Sequence, residues 1–397
     1  MTFPPSKVLQ KLLPSFIVYT ALALVLALLG WHVSRREQRR LTAGGAELPF
    51  YSWEIVLSLL IFAVVAGLRW QTGYDQVMYL ANYDAMKSLG MYSREDFEIG
   101  FSFITCLFAH AGAHPFFYFS FWALLQIGLI YFALRHYKAL LPWLALALVL
   151  GPYFMRWMGI LRQSLIECLF VALAELIVKR KFWLFLVIVL LAATIHKMSL
   201  LMLPLYFVPK IRLHWVNRRL LILVLAFCVL LSISSGWILM ALQSVRAALD
   251  WMGYGYYLDV MKTNPMFSFR TLGWGPQRVA LLALDVMIIW FYPSMKRHFG
   301  DNPLFRVWFM FAFIFMCYSN LMANTTFFVL RPGEIMIAFV LVMTASLLCY
   351  LFQVHRYVLG CVALALACSP LYLDLLKVHL APTFKSYFSL YHLMGFV

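Results

Sequence analysis

The segment FIVYTALALVLALLGW at positions 16–31 decides the class of this protein, and a basic cluster of Arg35, Arg36, Arg39 and Arg40 follows it. An apolar run approaching the ~20 residues that cross a bilayer, ended by arginines, is typical of a membrane helix whose end lies in the cytoplasm. The run has no clear small-residue cleavage site. We therefore predict a retained helix rather than a signal peptide.

Apolar runs of similar length recur along the chain. Of its 397 residues, 64% are hydrophobic and 12% are charged, and the mean hydropathy is +0.84. These values exclude a soluble globular protein. Candidate helices lie near 15–31, 52–69, 115–134, 139–155, 160–178, 182–195, 198–208, 219–240, 278–293, 304–322, 333–352 and 357–374, with a short run at 101–110. The prediction is an all-α, polytopic integral membrane protein with about 11–12 transmembrane or re-entrant helices in a single domain, 1–397.

The basic clusters between these runs predict the orientation of the chain. All fall on one side, which we assign to the cytoplasm: Arg35/Arg36/Arg39/Arg40, Arg135/Lys138, Lys179/Arg180/Lys181, Lys210/Arg212/Arg218/Arg219, Lys296/Arg297 and Arg356. The two longest outer loops are then near 69–114 and 241–277. The net charge of +16 serves topology and contact with anionic membrane lipid, and we expect no nucleic-acid partner.

Neither the cysteines nor the carboxylates form a pattern that predicts a metal site. Most of the seven cysteines lie inside apolar runs, and none forms a CxxC pair. Carboxylates within the predicted helices are scattered, without the spacing of a metal centre. The sequence also lacks HExxH, GxxxxGK[ST] and GxSxG. We expect no metal site and no disulfide framework.

Several arginines lie at or just inside the outer ends of predicted helices, where orientation gives no reason for a cation: Arg69, Arg156, Arg162, Arg270, Arg278 and Arg331. Charges at membrane depth are costly and mark a functional site or a buried pair. Arg162 and Gln163 stand side by side on an apolar helix and could bind a phosphate together. For any one arginine, snorkelling to headgroups or pairing with Glu167 or Asp75 remains the alternative.

His196 lies where two short apolar pieces of the 182–208 segment meet, at the outer end. Such a break is tolerated in a membrane only where it faces protein or water. A neutral imidazole, with an ordinary pKa near ~6.5, can accept the proton of a sugar hydroxyl. A cation such as Lys197 would help to keep the ring neutral. The alternative interpretation is a histidine that only ends a helix.

The second outer loop, beginning at Asp250, is rich in Tyr, Trp, Phe and Gly and carries Arg270 and Arg278. Aromatic rings can stack on the apolar faces of sugars, and they also form ordinary belts at the membrane interface. Both interpretations remain open.

Five short motifs lie in order along this sequence. The first is GLRWQTGYDQVMYLANY at 67–83, which contains Arg69, Asp75 and Tyr79. The others are EIGF at 98–101, ILRQSL at 160–165, IHKMSLLMLPLYF at 195–207 and FVLRPGEIMIAF at 328–339. Together they cover most of the chain. They resemble the motifs of the EpsG-like family of Wzy-type polysaccharide polymerases, whose signature GLRxxxGxDxxxYxxxY is similar to the first motif.

The resemblance implies a glycosyltransferase, similar in fold to the C-type glycosyltransferases, that polymerises oligosaccharide repeat units linked to a polyprenyl diphosphate. The product would be a capsule, exopolysaccharide or O-antigen. The site would face the outer side of the bacterial cytoplasmic membrane, with no metal or nucleotide cofactor. A flippase and a chain-length regulator are the protein partners that this function implies.

The resemblance also implies roles for individual residues. Arg69, Arg162 and Arg331 would bind the diphosphate and stabilise it as it leaves. His196 would activate the acceptor hydroxyl, and Asp75 would orient Arg69 or act as an alternative base. We further expect substrate contacts from residues near these positions or in the aromatic loop: Gln163, Tyr79, Arg270 and Arg278.

Two other functions remain open. One is a lipid-linked glycan flippase or proton-coupled transporter that uses Glu167, Glu175 and Asp285. The other is a transferase that adds single sugars from a polyprenyl monophosphate donor. A transporter predicts essential polar groups at mid-membrane and often inverted repeats. A polymerase predicts that its essential groups cluster at the outer face.

Overall fold

The computed structural model describes residues 5–69, 74–89, 97–210, 217–233, 246–251, 275–300, 302–325 and 327–377, with isolated positions at 237, 240, 244 and 259. Every regular element in these ranges is helical. The α-helices are α1 Pro5–Thr42, α2 Trp53–Gly67, α3 Tyr74–Leu89, α4 Ile99–His110, α5 Pro115–Ala133, α6 Leu141–Leu150, α7 Tyr153–Gly159, α8 Leu161–Val178, α9 Phe182–Ala193, α10 Met202–Leu205, α11 Arg218–Leu231, α12 Arg246–Trp251, α13 Pro276–His298, α14 Pro303–Leu321, α15 Phe327–Glu334, α16 Ile337–Gln353 and α17 Tyr357–Lys377. Short 3₁₀ turns lie at Lys138–Leu140, Lys197–Leu201 and Val208–Lys210.

Of the described helices, five are long and apolar enough to cross a membrane: α1, α5, α13, α14 and α17. The segment that contains α6 bends by 62° into α7, and the pair can count as a sixth span. Shorter apolar helices of 10–17 residues are α2, α4, α9 and α16. The prediction of an all-α, polytopic membrane protein is confirmed.

The most deeply buried helix is α16, in which every position from 338 to 351 is buried. A helix that is apolar on all sides belongs in the interior of a bundle. It packs against α6, α13, α14 and α17, while α1 packs on α2 and α6, α2 packs on α5, and α5 packs on α8. Large apolar side chains of the outer helices, such as Leu28, Val187 and Phe227, are exposed and suited to lipid contact.

Two segments differ from the sequence-based expectation, and a third agrees with it. Helix α1 continues past the basic cluster to Thr42, because its arginines lie on a polar surface that does not interrupt the backbone. The region 69–114, in which only the short run at 101–110 was expected to be helical, contains α3 in addition to α4. Its α3 buries Gln76, Tyr79 and Tyr83 on one helical face. The break within 182–208 is confirmed, since α9 ends at Ala193 and a 3₁₀ turn starts at Lys197.

The bundle has two polar ends. At one end Glu54, which begins α2, binds His32 and Arg36 of α1, each at 2.8 Å. Glu175, in the last turn of α8, pairs at that end with Arg135 and Lys179. Arg162 lies 13 residues before Glu175 on the same helix, which places the two residues about 20 Å apart along the axis of α8. The candidate site therefore lies at the end opposite these basic clusters.

Candidate active site

Glu98 is placed by a close contact between the start of α4 and the end of α9. The backbone nitrogens of Gly100 and Phe101 both donate to the carbonyl oxygen of Thr194, at 2.7 and 3.2 Å. A Cβ atom at Gly100 would lie only 2.3 Å from the Oγ1 of Thr194 and 2.9 Å from its carbonyl oxygen. Glycine is therefore required for this approach, which brings Glu98 next to His196.

Replacing Gly100 with alanine is expected to force α4 away from the end of α9. The shift would separate Glu98 from His196, and displacements near 1 Å can cost ~10²-fold in rate when catalytic groups are misplaced. Gly128→Ala is the matched control, because nothing lies within 4 Å of a Cβ at this helical glycine. Activity assays of both purified variants check the prediction; equal activity would contradict it.

The carboxylate of Glu98 is shared among three donors. Its Oε1 lies 3.1 Å from Nδ1 of His196 and accepts from the backbone nitrogen of Lys197 at 3.0 Å, while its Oε2 binds Nη1 of Arg162. Burial alone would raise the pKa of this carboxyl. The hydrogen bonds of His196 and Lys197 and the charge of Arg162 outweigh that effect and lower the pKa to about 2. Glu98 is therefore ionised and can only accept hydrogen bonds at neutral pH.

His196 is held in one tautomer by this contact. Burial lowers its pKa, and the charges of Arg162 and Arg331 add to the effect, whereas Glu98 opposes it. The imidazole is consequently neutral at pH 7. Because ionised Glu98 must receive a proton from Nδ1, the other ring nitrogen, Nε2, keeps its lone pair. The geometry suits a general base oriented by a carboxylate.

Arg162 lies at the start of α8 against aromatic rings. Its guanidinium carbon is 4.6 Å from the ring centroid of Phe97 and 5.3 Å from that of Phe101. The phenol of Tyr79 lies within electrostatic range of the guanidinium, and its ring stacks on Phe97 at 6.0 Å. The rings hold the arginine in place while it retains its positive charge.

Arg69 follows the end of α2 and is buried, with 3% of its surface exposed. Its guanidinium carbon lies 4.7 Å from the ring centroid of Phe119, and Gln76 donates to its carbonyl oxygen at 3.0 Å. Within the described part of the chain, none of its three guanidinium nitrogens has a hydrogen-bond partner. Burial lowers its pKa to about 9, so the group remains charged at neutral pH. A buried cation in this state is expected where an anion binds.

Tyr79 connects these groups. It lies within electrostatic range of Arg69, of Arg162 and of Arg331, and the charge of Arg331 also acts on His196. Five of the predicted site residues thus come together from α3, α8, α15 and the segments after α2 and α9. Asp75, one helical turn before Tyr79, acts on the same phenol. The cluster contains three guanidinium groups and two carboxylates, Glu98 and Asp75, and so has an excess of positive charge.

Comparison with protein-family models gives one family. The model of the EpsG family matches residues 53–391, which is most of the chain. The chain belongs to the EpsG family. Comparison with curated proteins and with solved structures gave no match. EpsG is a Wzy-type polymerase-like family, so the chain has a role in polysaccharide synthesis.

In this EpsG-family protein, Gln163 does not lie beside Arg162 as the sequence led us to expect. The Gln163 amide donates to the carbonyl oxygen of Arg331 at 3.3 Å and to Oε2 of Glu334 at 3.0 Å, so it joins α8 to α15 instead of lying beside the guanidinium of Arg162. Consecutive helical residues point about 100° apart, which explains the separation. Glu334 also binds Nη1 of Arg156 at 2.7 Å, and Arg156 binds Glu167 at 2.7 Å. This second polar layer supports α8 beneath Arg162.

Three further predicted site residues are Asp75, Arg278 and Arg270. Asp75 does not hydrogen-bond Arg69, whose guanidinium nitrogens have no such partner among the described residues, so the expected orienting contact is not formed. Arg278 lies at the start of α13, where it donates to Asn324 and Ser232. Arg270, with most of the aromatic loop, lies outside the described residues. Among the described residues, no group of three His, Cys, Asp or Glu side chains could hold a metal ion.

Sequence reasoning missed the role of Glu98 in this EpsG-family site. The EIGF motif was visible, but nothing in the sequence indicated that its glutamate meets both Arg162 and His196, which lie 64 and 98 residues away. The glycine two positions after Glu98 was the available signal. Its need for close approach becomes evident only with Thr194 beside it.

Proposed function

We propose that this protein polymerises polyprenyl-diphosphate-linked oligosaccharide repeat units at the outer face of the bacterial cytoplasmic membrane. The observation that carries the proposal is the cluster of Arg69, Arg162 and Arg331 around Tyr79, next to a neutral His196. Three guanidiniums suit a diphosphate, because each can form charge-assisted, bidentate contacts and remains protonated. The position opposite the basic end of the bundle supports an outward-facing site.

In the proposed reaction, the hydroxyl oxygen of the acceptor sugar attacks the anomeric carbon of the donor. A new glycosidic C–O bond forms as the bond from that carbon to the diphosphate oxygen breaks. The leaving diphosphate takes the electron pair, and the arginines stabilise the negative charge that develops on it. The hydroxyl proton passes to Nε2 of His196, and the resulting imidazolium is stabilised by Glu98. The imidazolium then releases the proton to solvent.

Two of the carboxylates that a transporter could use are committed to ion pairs. Glu167 binds Arg156 at 2.7 Å, and Glu175 pairs with Arg135 and Lys179 at the other end of α8. A proton relay needs carboxylates that change protonation state near neutral pH, whereas the hydrogen bonds and charges of Lys179 and Arg135 outweigh the effect of burial and lower the pKa of Glu175. This pairing favours the polymerase over a transporter that relays protons through Glu175.

The test is incubation of the purified protein with lipid-linked repeat unit, followed by gel separation of the products. We expect a ladder of chains that lengthens by whole repeat units. Arg162→Gln, which removes the charge that contacts Glu98, is expected to abolish the ladder, whereas Glu175→Gln, at the opposite end of α8, should retain it. A wild-type protein that yields no ladder with its correct substrate would refute the proposal. A product extended by one sugar only would favour the single-sugar transferase.

A further inference from the structure

A cavity of about 390 Å³ lies between α13, α14 and α15. The side chains on its wall that matter here are polar or aromatic: Arg278, Asp285, Phe315, Ser319, Asn320 and Glu334. The volume is within the range of roughly 300–1,000 Å³ typical of small-molecule sites. Apart from the contacts of Glu334, the mechanism above uses none of these residues.

Asp285 has an incomplete set of partners in this cavity. Only 8% of its surface is exposed, and its Oδ2 accepts from Nδ2 of Asn320 at 3.2 Å. Among the described residues, no donor reaches Oδ1 and no cation pairs with the carboxylate. Such a carboxylate is costly to bury without further hydrogen bonds, and by default it marks a functional site. A ligand that brings hydrogen-bond donors would offset that cost.

The chemistry of the wall favours a neutral ligand with hydroxyl groups. The carboxylate of Asp285 balances the guanidinium of Arg278, and Glu334 is paired with Arg156, so the cavity lacks the excess positive charge that a diphosphate needs. Hydroxyls can donate to Asp285 and exchange hydrogen bonds with the amide of Asn320, while Phe315 offers an apolar face to a ring. The volume also exceeds what a proton or a bare cation requires.

Helix α15 contributes residues both to this cavity and to the Arg162–His196 cluster. Leu330 and Glu334, four residues apart, lie on the cavity face, whereas the charge of the intervening Arg331 acts on His196. Glu334 also accepts from Gln163, the neighbour of Arg162 in the chain. A glycan whose reacting end lies at His196 could therefore continue past α15 into the cavity.

We infer that this cavity is a sugar-binding subsite, in which Asp285 and Asn320 bind the hydroxyl groups of a ring within the oligosaccharide repeat unit. The inference rests on the proposed polymerase function for the identity of the glycan. It extends that function by assigning recognition of the sugar to residues that do not contact the diphosphate.

The test measures binding of a glycan without its lipid. The probe is the oligosaccharide released by mild acid from the lipid-linked repeat unit, titrated by calorimetry into the full-length protein in lipid nanodiscs. Asp285→Asn preserves shape but removes the charge, and it should weaken binding by about tenfold or more, as expected for a lost hydrogen bond to a charged group. Phe315→Leu, which removes only the aromatic face, should also weaken it. Glu175→Gln should bind as the wild type does.

The melting temperature of Asp285→Asn shows whether a loss of binding is caused by unfolding. Because the neutral amide replaces a buried carboxylate with a single donor, Asp285→Asn should melt at the same temperature as the wild type or higher. Unchanged affinity in both cavity variants would overturn the inference even if the wild-type protein builds chains. Asp285-dependent binding by a wild-type protein that forms no ladder would instead support the subsite and refute the polymerase.

Discussion

Replacement of His196 with alanine is expected to lower the rate of chain growth by roughly 10²–10⁴-fold, the range typical for loss of a general base. In the proposed reaction the imidazole accepts the proton of the attacking hydroxyl at Nε2, since Nδ1 is directed at Glu98. Protein yield and melting temperature should change little, because the side chain contributes one hydrogen bond at a helix break. Single-turnover measurements with lipid-linked repeat unit check the effect. Full activity in this variant would exclude His196 as the base.

The companion variant Glu98→Gln tests whether Glu98 orients the imidazole of His196 or only stabilises the fold. A glutamine amide can donate a hydrogen bond to Nδ1 of His196, whereas the ionised carboxylate can only accept one. The ring could then adopt the tautomer with its proton on Nε2. In that tautomer Nε2 has no free lone pair and cannot act as the base. The rate should therefore fall, and the pH profile should move as well. Wild-type activity is lost as pH falls through the pKa of His196, which lies below its ordinary value.

The direction of that movement follows from the charges around the ring. Glu98 raises the pKa of His196 and partly offsets the effects of burial, Arg162 and Arg331. Without the carboxylate, the pKa of His196 drops further, and the acid limb of kcat/KM shifts to lower pH. A variant that is merely misfolded would have a lower kcat/KM at every pH, without a shift of the acid limb. An acid limb that stays in place or moves to higher pH would contradict the assigned role of Glu98.

The second large effect is expected at Arg69, where function and stability should change in opposite directions. Arg69→Met removes a buried cation whose guanidinium has no hydrogen-bond partner among the described residues. Chain growth should fall by roughly 10²–10³-fold, as for loss of one donor to a developing anion. The melting temperature of the substrate-free protein should rise, because the desolvated charge is gone.

Arg35→Met is the control for this prediction. Arg35 also lies over an aromatic ring, with its guanidinium carbon 4.2 Å from the centroid of Trp31, but it is exposed at the opposite end of the bundle. Its removal should alter neither activity nor stability to a comparable degree. A loss of thermal stability in Arg69→Met, similar to its loss of activity, would show that the arginine acts as a structural group.

The sequence predicts the membrane architecture well, because the hydrophobic runs that cross a bilayer are long and contain few charges. It predicts α3 poorly, since polar residues such as Asp75 and Asn82 alternate with the buried Tyr79 and Tyr83. The spacing of the two tyrosines was the signal for a helix with one buried face. A helix lying against other helices at the end of the bundle leaves no long apolar run to find.

The candidate site, like the fold, could be predicted from the sequence only in part. The sequence alone indicates Arg69, Arg162 and His196 as candidate site residues, because ionisable groups at helix ends inside a membrane protein mark a functional site by default. The residues that these side chains contact could not be predicted from the sequence. Glu98 could be matched to Arg162 only through contacts between separate helices, and Arg278 belongs to the cavity with Asp285 although its sequence context resembles that of the other arginines.

The contacts between α8 and α15 have a consequence for biosynthesis. Arg156 and Glu334 are 178 residues apart in the chain, and Gln163 and Arg331 are 168 apart. A ribosome that has completed α8 must add more than a hundred further residues before these partners exist. During that interval, Glu334 is absent and Glu167 is the one partner of Arg156 in the described structure that has already been made. An incomplete nascent chain therefore lacks the third arginine. If the proposed function holds, such a chain cannot yet bind its lipid-linked substrate at a complete site.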